Sequence, residues 1–149
     1  MSIRMRKCLL IAAIALCACP KRSPGQGADD QPRVEVKPSA EADRAYNEAQ
    51  QTAGKGNRKE GIEALLSVRQ RFPETTAGED ALYEAGILSY EEGDYAGARK
   101  ALSELLFENP LYVKANDARL HSGLAALELK AYRDAYQTLS TLCEKLEGA

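Results

Sequence analysis

The stretch ALYEAGILSYEEGDYAGARKALSELLFENP, residues 81–110, decides the fold of this 149-residue chain. The small and apolar residues that recur there at helical spacing are Leu82, Ala85, Gly86 and Ser89, then Ala98, Leu102, Leu105 and Leu106. Gly93 and Asp94 separate the two sets, because glycine suits the residue after a helix and aspartate caps the next one. Pro110 ends the second set. The stretch therefore predicts two helices joined by a short turn.

The pattern recurs with a period of 37 residues, in the frames 42–78, 79–115 and 116–149. The positions that coincide are Asp43, Asp80 and Asp117; Gly56 and Gly93; Leu65, Leu102 and Leu139; and Pro73 and Pro110. At its turn the third frame has Lys130-Ala131 in place of glycine. The repeat predicts an all-α chain of three helix pairs.

Two further signals predict where helices begin. Asn57 precedes Glu60, and Thr76 precedes Glu79, by the three residues that define a capping box. We therefore expect Asn57 and Thr76 to cap helices through their side-chain oxygens.

These repeats resemble the tetratricopeptide repeat, a helix pair of about 34 residues. The matching residues in the first frame are Ala49, Gly56, Gly61, Leu65, Val68 and Pro73, with Gly61 where alanine is usual. In the second they are Leu82, Ala85, Gly86, Tyr90, Gly93, Asp94, Tyr95, Ala98, Leu102, Leu105 and Pro110, and in the third Gly123, Ala126, Tyr132, Ala135, Leu139 and Leu142. The resemblance implies an α-solenoid whose small residues lie where helices cross closely.

The resemblance also implies a concave groove, lined by the first helix of each pair, that binds proteins. The groove positions are Asp43, Tyr46 and Gln50; Asp80, Tyr83, Ile87, Tyr90 and Glu91; and Asp117, Leu120, Leu124, Leu127 and Glu128. Their apolar and aromatic floor and acidic margin would suit an extended or helical peptide with basic and apolar side chains. The alternative is that some of these tyrosines only pack between repeats, and that the aspartates favour helix N-termini.

The N-terminus has the pattern of a lipoprotein signal. Basic residues precede the apolar run 9–16, which is too short to span a bilayer. Leu16-Cys17-Ala18-Cys19 resembles a bacterial lipobox, which implies cleavage after residue 18, acylation of Cys19 (palmitate among the acyl groups) and an outer-membrane anchor facing the periplasm. Residues 19–40, rich in proline, predict an extended tether before a repeat domain at 41–149. A plain secretory signal is the alternative.

Composition excludes several other functions. Because 20 basic residues balance 22 acidic ones, a nucleic-acid-binding face is not expected. His121 is the single histidine and has no nucleophile pattern near it, so we expect neither an enzyme nor a metal or cofactor site. Cys143 is expected near the buried face of the last helix as a small apolar residue, with an intermolecular disulfide as the alternative.

The expected function is a membrane-anchored scaffold for envelope proteins or peptides. The lengthened repeats resemble those of BamD-like outer-membrane assembly lipoproteins and of YbgF-like (CpoB-like) Tol-Pal partner proteins. Pilus pilot lipoproteins, activators of penicillin-binding proteins and a peptidoglycan-binding module remain alternatives. The apolar last helix, with Leu139, Leu142, Cys143 and Leu146, further predicts an end that meets a partner or forms an oligomer.

Overall fold

A computed structural model describes residues 36–147, and within them the chain is all-α, as predicted. Its helices are α1 (Ala40–Gly54), α2 (Arg58–Arg71), α3 (Thr76–Glu91), α4 (Tyr95–Glu108), α5 (Ala115–Glu128) and α6 (Tyr132–Glu147). The signal peptide expected at 1–18, the acylated Cys19 and most of the tether lie outside the described residues.

The helices pack in chain order, and the first helix of each pair also contacts the first helix of the next pair. Thus α1 contacts α3 and α3 contacts α5, whereas among the described helices α2, α4 and α6 do not contact one another. Because α1, α3 and α5 approach their neighbours on that side more closely than α2, α4 and α6 approach one another, the stack curves toward the side of α1, α3 and α5. The predicted groove residues lie on these three helices, α1, α3 and α5.

The turns inside the first two pairs lie where the sequence predicts them. Gly56 and Gly93 adopt φ of 90° and 82°, which glycine reaches without a steric penalty. Asn57 accepts a bond from the Glu60 N–H at 3.5 Å, and Asp94 caps α4 through the Gly97 N–H at 3.0 Å. In the third pair Lys130, 37 residues after Gly93, takes φ of 58° and bears the strain of a side chain there.

The prediction that Thr76 caps α3 is wrong by one residue. Thr75 is extended, and its hydroxyl accepts from the Gly78 N–H at 3.1 Å, whereas Thr76 already belongs to the helix. Glu79 is therefore not part of a capping box. It is buried, and both its carboxylate oxygens accept from Asn109 Nδ2, at 3.0 and 3.1 Å. Burial raises the pKa of Glu79, and the bond from Asn109 opposes that shift.

Glycines mark the helix crossings, as the repeat pattern implies. A Cβ on Gly86 would lie 2.6 Å from Leu102 Cγ, and one on Gly123 would lie 2.6 Å from Leu139 Cδ2. A Cβ on Gly61 would lie 2.4 Å from Ala53 Cβ and 2.5 Å from its Cα. The backbone of α1 thus explains why glycine replaces the usual alanine at this position of the first repeat.

The segment just before α1 contacts the domain. The Lys37 N–H donates to the Glu74 carbonyl at 2.9 Å, and Lys37 forms a parallel bridge with Thr75 in the loop between the first two pairs. Ser39 then caps α1, accepting from the Ala42 N–H at 3.3 Å. The last residues of the predicted tether are therefore part of the folded body.

Candidate protein-binding face

The predicted groove residues lie on α1, α3 and α5, of which α3 contacts both of the others, and we call the surface that these residues form the inner face. The exposed members are Asp43, Glu91, Leu120, Leu127 and Glu128, and the half-buried members are Tyr46, Gln50, Asp80, Tyr83, Ile87, Tyr90, Asp117 and Leu124. None of them is fully buried, so each retains some surface toward solvent. The half-buried Tyr83 and Ile87 also pack against the core, and so they serve folding as well as the surface.

Tyrosine–carboxylate hydrogen bonds link neighbouring repeats across the inner face. Tyr46 on α1 donates to Glu84 Oε2 on α3 at 2.7 Å, and Tyr83 on α3 donates to Asp117 on α5 at 2.5 Å. Gln50 Nε2 donates to the Tyr46 hydroxyl at 2.9 Å and to Glu84 at 2.8 Å. These tyrosines therefore link neighbouring repeats, which is the packing role that the sequence left as an alternative for them, and Asp117 accepts one of the bonds.

A third bond of the same kind joins the predicted Asp80 to Tyr112, a residue that the sequence pattern did not indicate. Tyr112, in the loop before α5, donates to Asp80 at 2.5 Å and packs its ring 5.7 Å from that of Tyr83. Glu84 was missed as well, although it lies four residues after Asp80, and i, i+4 residues share a helix face. Tyr112 gave no such signal, because it lies in an irregular loop.

Charges on the inner face are partly paired. Arg58 binds Glu91 at 2.9 Å, and the ammonium of Lys114 lies 4.6 Å from the centre of the Tyr83 ring. Asp43 and Glu128 are exposed, and neither forms an ion pair among the side chains that the structure describes. The acidic margin thus keeps two carboxylates available to a basic partner.

His121 packs against the aromatic side chain of Tyr90. Its ring meets the Tyr90 ring edge-on at 5.6 Å, and its Nδ1 lies 3.0 Å from the Asp117 carbonyl oxygen. Tyr90 also meets Tyr95 edge-on at 5.4 Å. The three rings fix the end of α3 against α4 and α5.

The tyrosine network predicts a loss of stability in alkali. Burial first, and then the bond to Asp117, raises the pKa of Tyr83 above its ordinary value of about 10. The same causes, with Glu84 and Asp80 as acceptors, raise the pKa of Tyr46 and Tyr112. The unfolded chain thus loses these protons above about pH 10 while the folded chain keeps them, so stability is full below that pH and falls above it.

We expect Tyr83→Phe to reduce this alkaline loss, because phenylalanine has no proton to release. Urea unfolding followed by circular dichroism at several pH values from about 9 to about 11 measures the slope. Tyr136→Phe is the matched control, since that side chain is 77% exposed and outside the network. Equal slopes for the two variants would contradict the prediction.

The structure also corrects the position of Cys143. Its side chain is exposed, because α6 buries Ala135 and Leu142 and the next residue is turned by about 100° around the helix. Phe107, Leu111 and Val113 form another exposed apolar set, near the loop between α4 and α5. Phe107 does not share the helical spacing of the buried residues of α4, and this departure from the pattern could have predicted its exposure.

Other kinds of site are not formed by the described residues. Within 36–147 no group of three or more histidine, cysteine and carboxylate side chains is placed to hold a metal ion. No helix in that part of the chain combines the length and the apolar character that crossing a membrane requires.

Comparison with known proteins supports the repeat assignment. The tetratricopeptide repeat family model matches residues 80–110, which cover most of α3 and all of α4. The search of curated proteins found no match. Within residues 36–147, the six helices form an all-α, tetratricopeptide-like helical repeat fold. Such repeats are protein–protein interaction scaffolds and are generally not catalytic.

Proposed function

We propose that the inner face binds a peptide segment of a partner protein, one that carries basic and apolar side chains. One observation carries this proposal: exposed Asp43 and Glu128, which form no ion pair among the described side chains, lie near the start of α1 and the end of α5, on a face that also carries the partly exposed Ile87, Tyr90 and Leu124. Apolar side chains of the peptide would pack on these three residues, and basic side chains would meet the two carboxylates.

The hydrogen-bonded tyrosines support this reading, since they hold the three helices of the inner face in fixed positions. A face that is already ordered loses little conformational entropy on binding, which favours affinity. The proposed function is therefore to bind and position the partner protein, without catalysing a reaction on it.

The cellular setting is a further part of the proposal and rests on the N-terminal sequence. Acylation of Cys19 would anchor the chain to the outer membrane, with the repeats in the periplasm and a proline-rich tether between them. BamD-like outer-membrane protein assembly is the first candidate machine. Tol-Pal coordination, pilus assembly and penicillin-binding-protein activation follow, and a peptidoglycan-binding module is the alternative of a different class.

The binding proposal predicts a charge-dependent interaction that the purified chain should show. We expect a short peptide alternating lysine and leucine to bind, and one alternating glutamate and leucine not to bind, in fluorescence anisotropy. Asp43→Lys with Glu128→Lys should weaken binding about tenfold, equal to about 1.4 kcal/mol. Added salt should weaken it as well.

The matched control is Glu48→Lys with Glu63→Lys, the same change of charge at exposed positions away from the inner face. If the control weakens binding as much as the inner-face variant does, the peptide responds to net charge and the inner face is not its site. In the native host, Cys19→Ala tests the anchor separately: the protein should leave the membrane fraction, and retention there would contradict acylation.

A further inference from the structure

Helix α6 carries an apolar stripe on its solvent side. The residues of this α6 stripe are Tyr132, Tyr136, Leu139, Cys143 and Leu146, which follow one another at alternating spacings of four and three. That alternation is the seam of a two-helix coiled coil, here two heptads long. Tyr132, Tyr136 and Leu146 are 64%, 77% and 59% exposed, so the described residues leave these three largely uncovered, whereas the half-buried Leu139 also packs against Gly123 of α5.

The stripe borders an open cavity. Its volume is about 540 Å³, and its lining includes Leu127 from the end of α5 together with Tyr132, Tyr136, Leu139 and Cys143 from α6. An occupant would therefore contact both helices of the last pair. In the earlier pairs a helix holds the corresponding place, since α3 packs on α2 and α5 packs on α4.

A second copy stacked head to tail does not fit the stripe. In that arrangement α1 of one copy would cover α6 of the other, as α3 covers α2. The exposed residues of α1 that face away from the domain are polar: Arg44, Asn47, Glu48 and Gln51. Burying them against tyrosine and leucine would leave polar groups without partners, which is costly.

A symmetric arrangement fits better, because an isologous interface brings the same patch of both copies together. Arg133 and Glu144 both lie exposed on one flank of the α6 stripe. If two α6 helices run antiparallel with Tyr136 opposite the partner's Leu139, Tyr132 falls opposite the partner's Cys143. Arg133 then lies within about 3 Å, measured along the axis, of the level of the partner's Glu144, since each residue rises about 1.5 Å.

We propose that the α6 stripe binds the α6 stripe of a second copy, antiparallel about a two-fold axis near Gln137 and Thr138. The apolar seam supplies the contact, and two symmetric Arg133–Glu144 pairs set the direction. In a parallel pair in register, Arg133 and the partner's Glu144 would lie more than about 15 Å apart along the axis and could not pair. The α6 stripe shares no residue with the inner face, although Leu127 of the inner face lines the cavity beside the stripe, so dimerisation and peptide binding can fail independently.

Sedimentation velocity of the full 149-residue chain tests the dimer, at concentrations from about 1 µM to about 1 mM, the range of Kd expected for a short interface. We expect the mean mass to rise from one chain to two. Tyr136→Glu should abolish the rise, and its high exposure means that folding does not depend on it. All variants share the same N-terminus, so association through residues 1–35 would be common to them all.

The direction is tested by charge exchange. Arg133→Glu and Glu144→Lys should each raise the Kd about tenfold, and the double variant should restore it to nearly the wild-type value. Glu48→Lys, remote from the stripe, should have no effect. A chain monomeric throughout, or a dimer that Tyr136→Glu leaves intact, would overturn the proposal. A double variant as weak as the two single effects combined would overturn the antiparallel arrangement.

Discussion

Leu102→Ala is expected to lower the free energy of unfolding by about 2–5 kcal/mol. Leu102 is fully buried where α3 crosses α4, and truncation leaves a cavity in the core cluster that also holds Leu82 and Leu105. Urea unfolding measures the loss. The matched control is Leu139→Ala, the same repeat position 37 residues later, where the half-buried side chain should cost less. Equal costs at the two positions would contradict this account.

The partner of Leu102 across the crossing provides a sharper form of the same test. Gly86→Ala alone would set its Cβ 2.6 Å from Leu102 Cγ, so we expect it to destabilise the protein. In the Leu102→Ala background that Cγ is gone, and alanine should instead stabilise by up to about 1 kcal/mol through helix propensity. A Gly86→Ala effect of the same sign in both backgrounds would show that the close crossing is not what selects glycine.

Gly61→Leu is expected to destabilise by about 3 kcal/mol or more, because its neighbour is backbone that cannot rotate away. The Cβ of the new side chain would overlap sterically with the Cα and Cβ of Ala53, so α2 could accommodate leucine only by moving away from α1. Unfolding in urea again gives the free energy, and chromatographic size would show whether the first repeat opens.

Gly54→Leu is the control for this second prediction. Gly54 also lies in a helix, but a Cβ there would meet nothing within 4 Å. The gain in helix propensity is shared by both variants, so their difference isolates the clash. If Gly61→Leu and Gly54→Leu unfolded at the same urea concentration, tight packing of α1 on α2 would not be the reason for glycine at position 61.

The sequence predicts the helix pairs well because each boundary has a local chemical signal. Gly93 with its positive φ and Asp94 with its capping carboxylate act within a few residues of themselves, so spacing alone locates the turn. The small residues at Gly86 and Gly123 were predicted to mark helix crossings, and the structure confirms both. Periodicity carries this information without knowledge of the tertiary contacts.

Features that depend on the next repeat were not predictable in the same way. Thr75 and Thr76 are equally good capping residues by type, and only the backbone conformation of the loop decides between them. The roles of Tyr112 and Glu84 depend on which side chain of a neighbouring helix comes within 3 Å. Cys143 was predicted near the buried face of α6, but Leu142 occupies that face. Neighbouring residues of a helix differ by about 100° around its axis, so an error of one residue moves a side chain from the core to the surface.

The contact between Lys37 and the loop at Glu74 has a mechanical consequence. Tension applied to the chain ahead of residue 36 would first load the Lys37–Glu74 hydrogen bond and the loop between the first two helix pairs. Once that hydrogen bond breaks, the force would act on the start of α1 and would tend to separate the first helix pair, α1 and α2, from the rest of the stack.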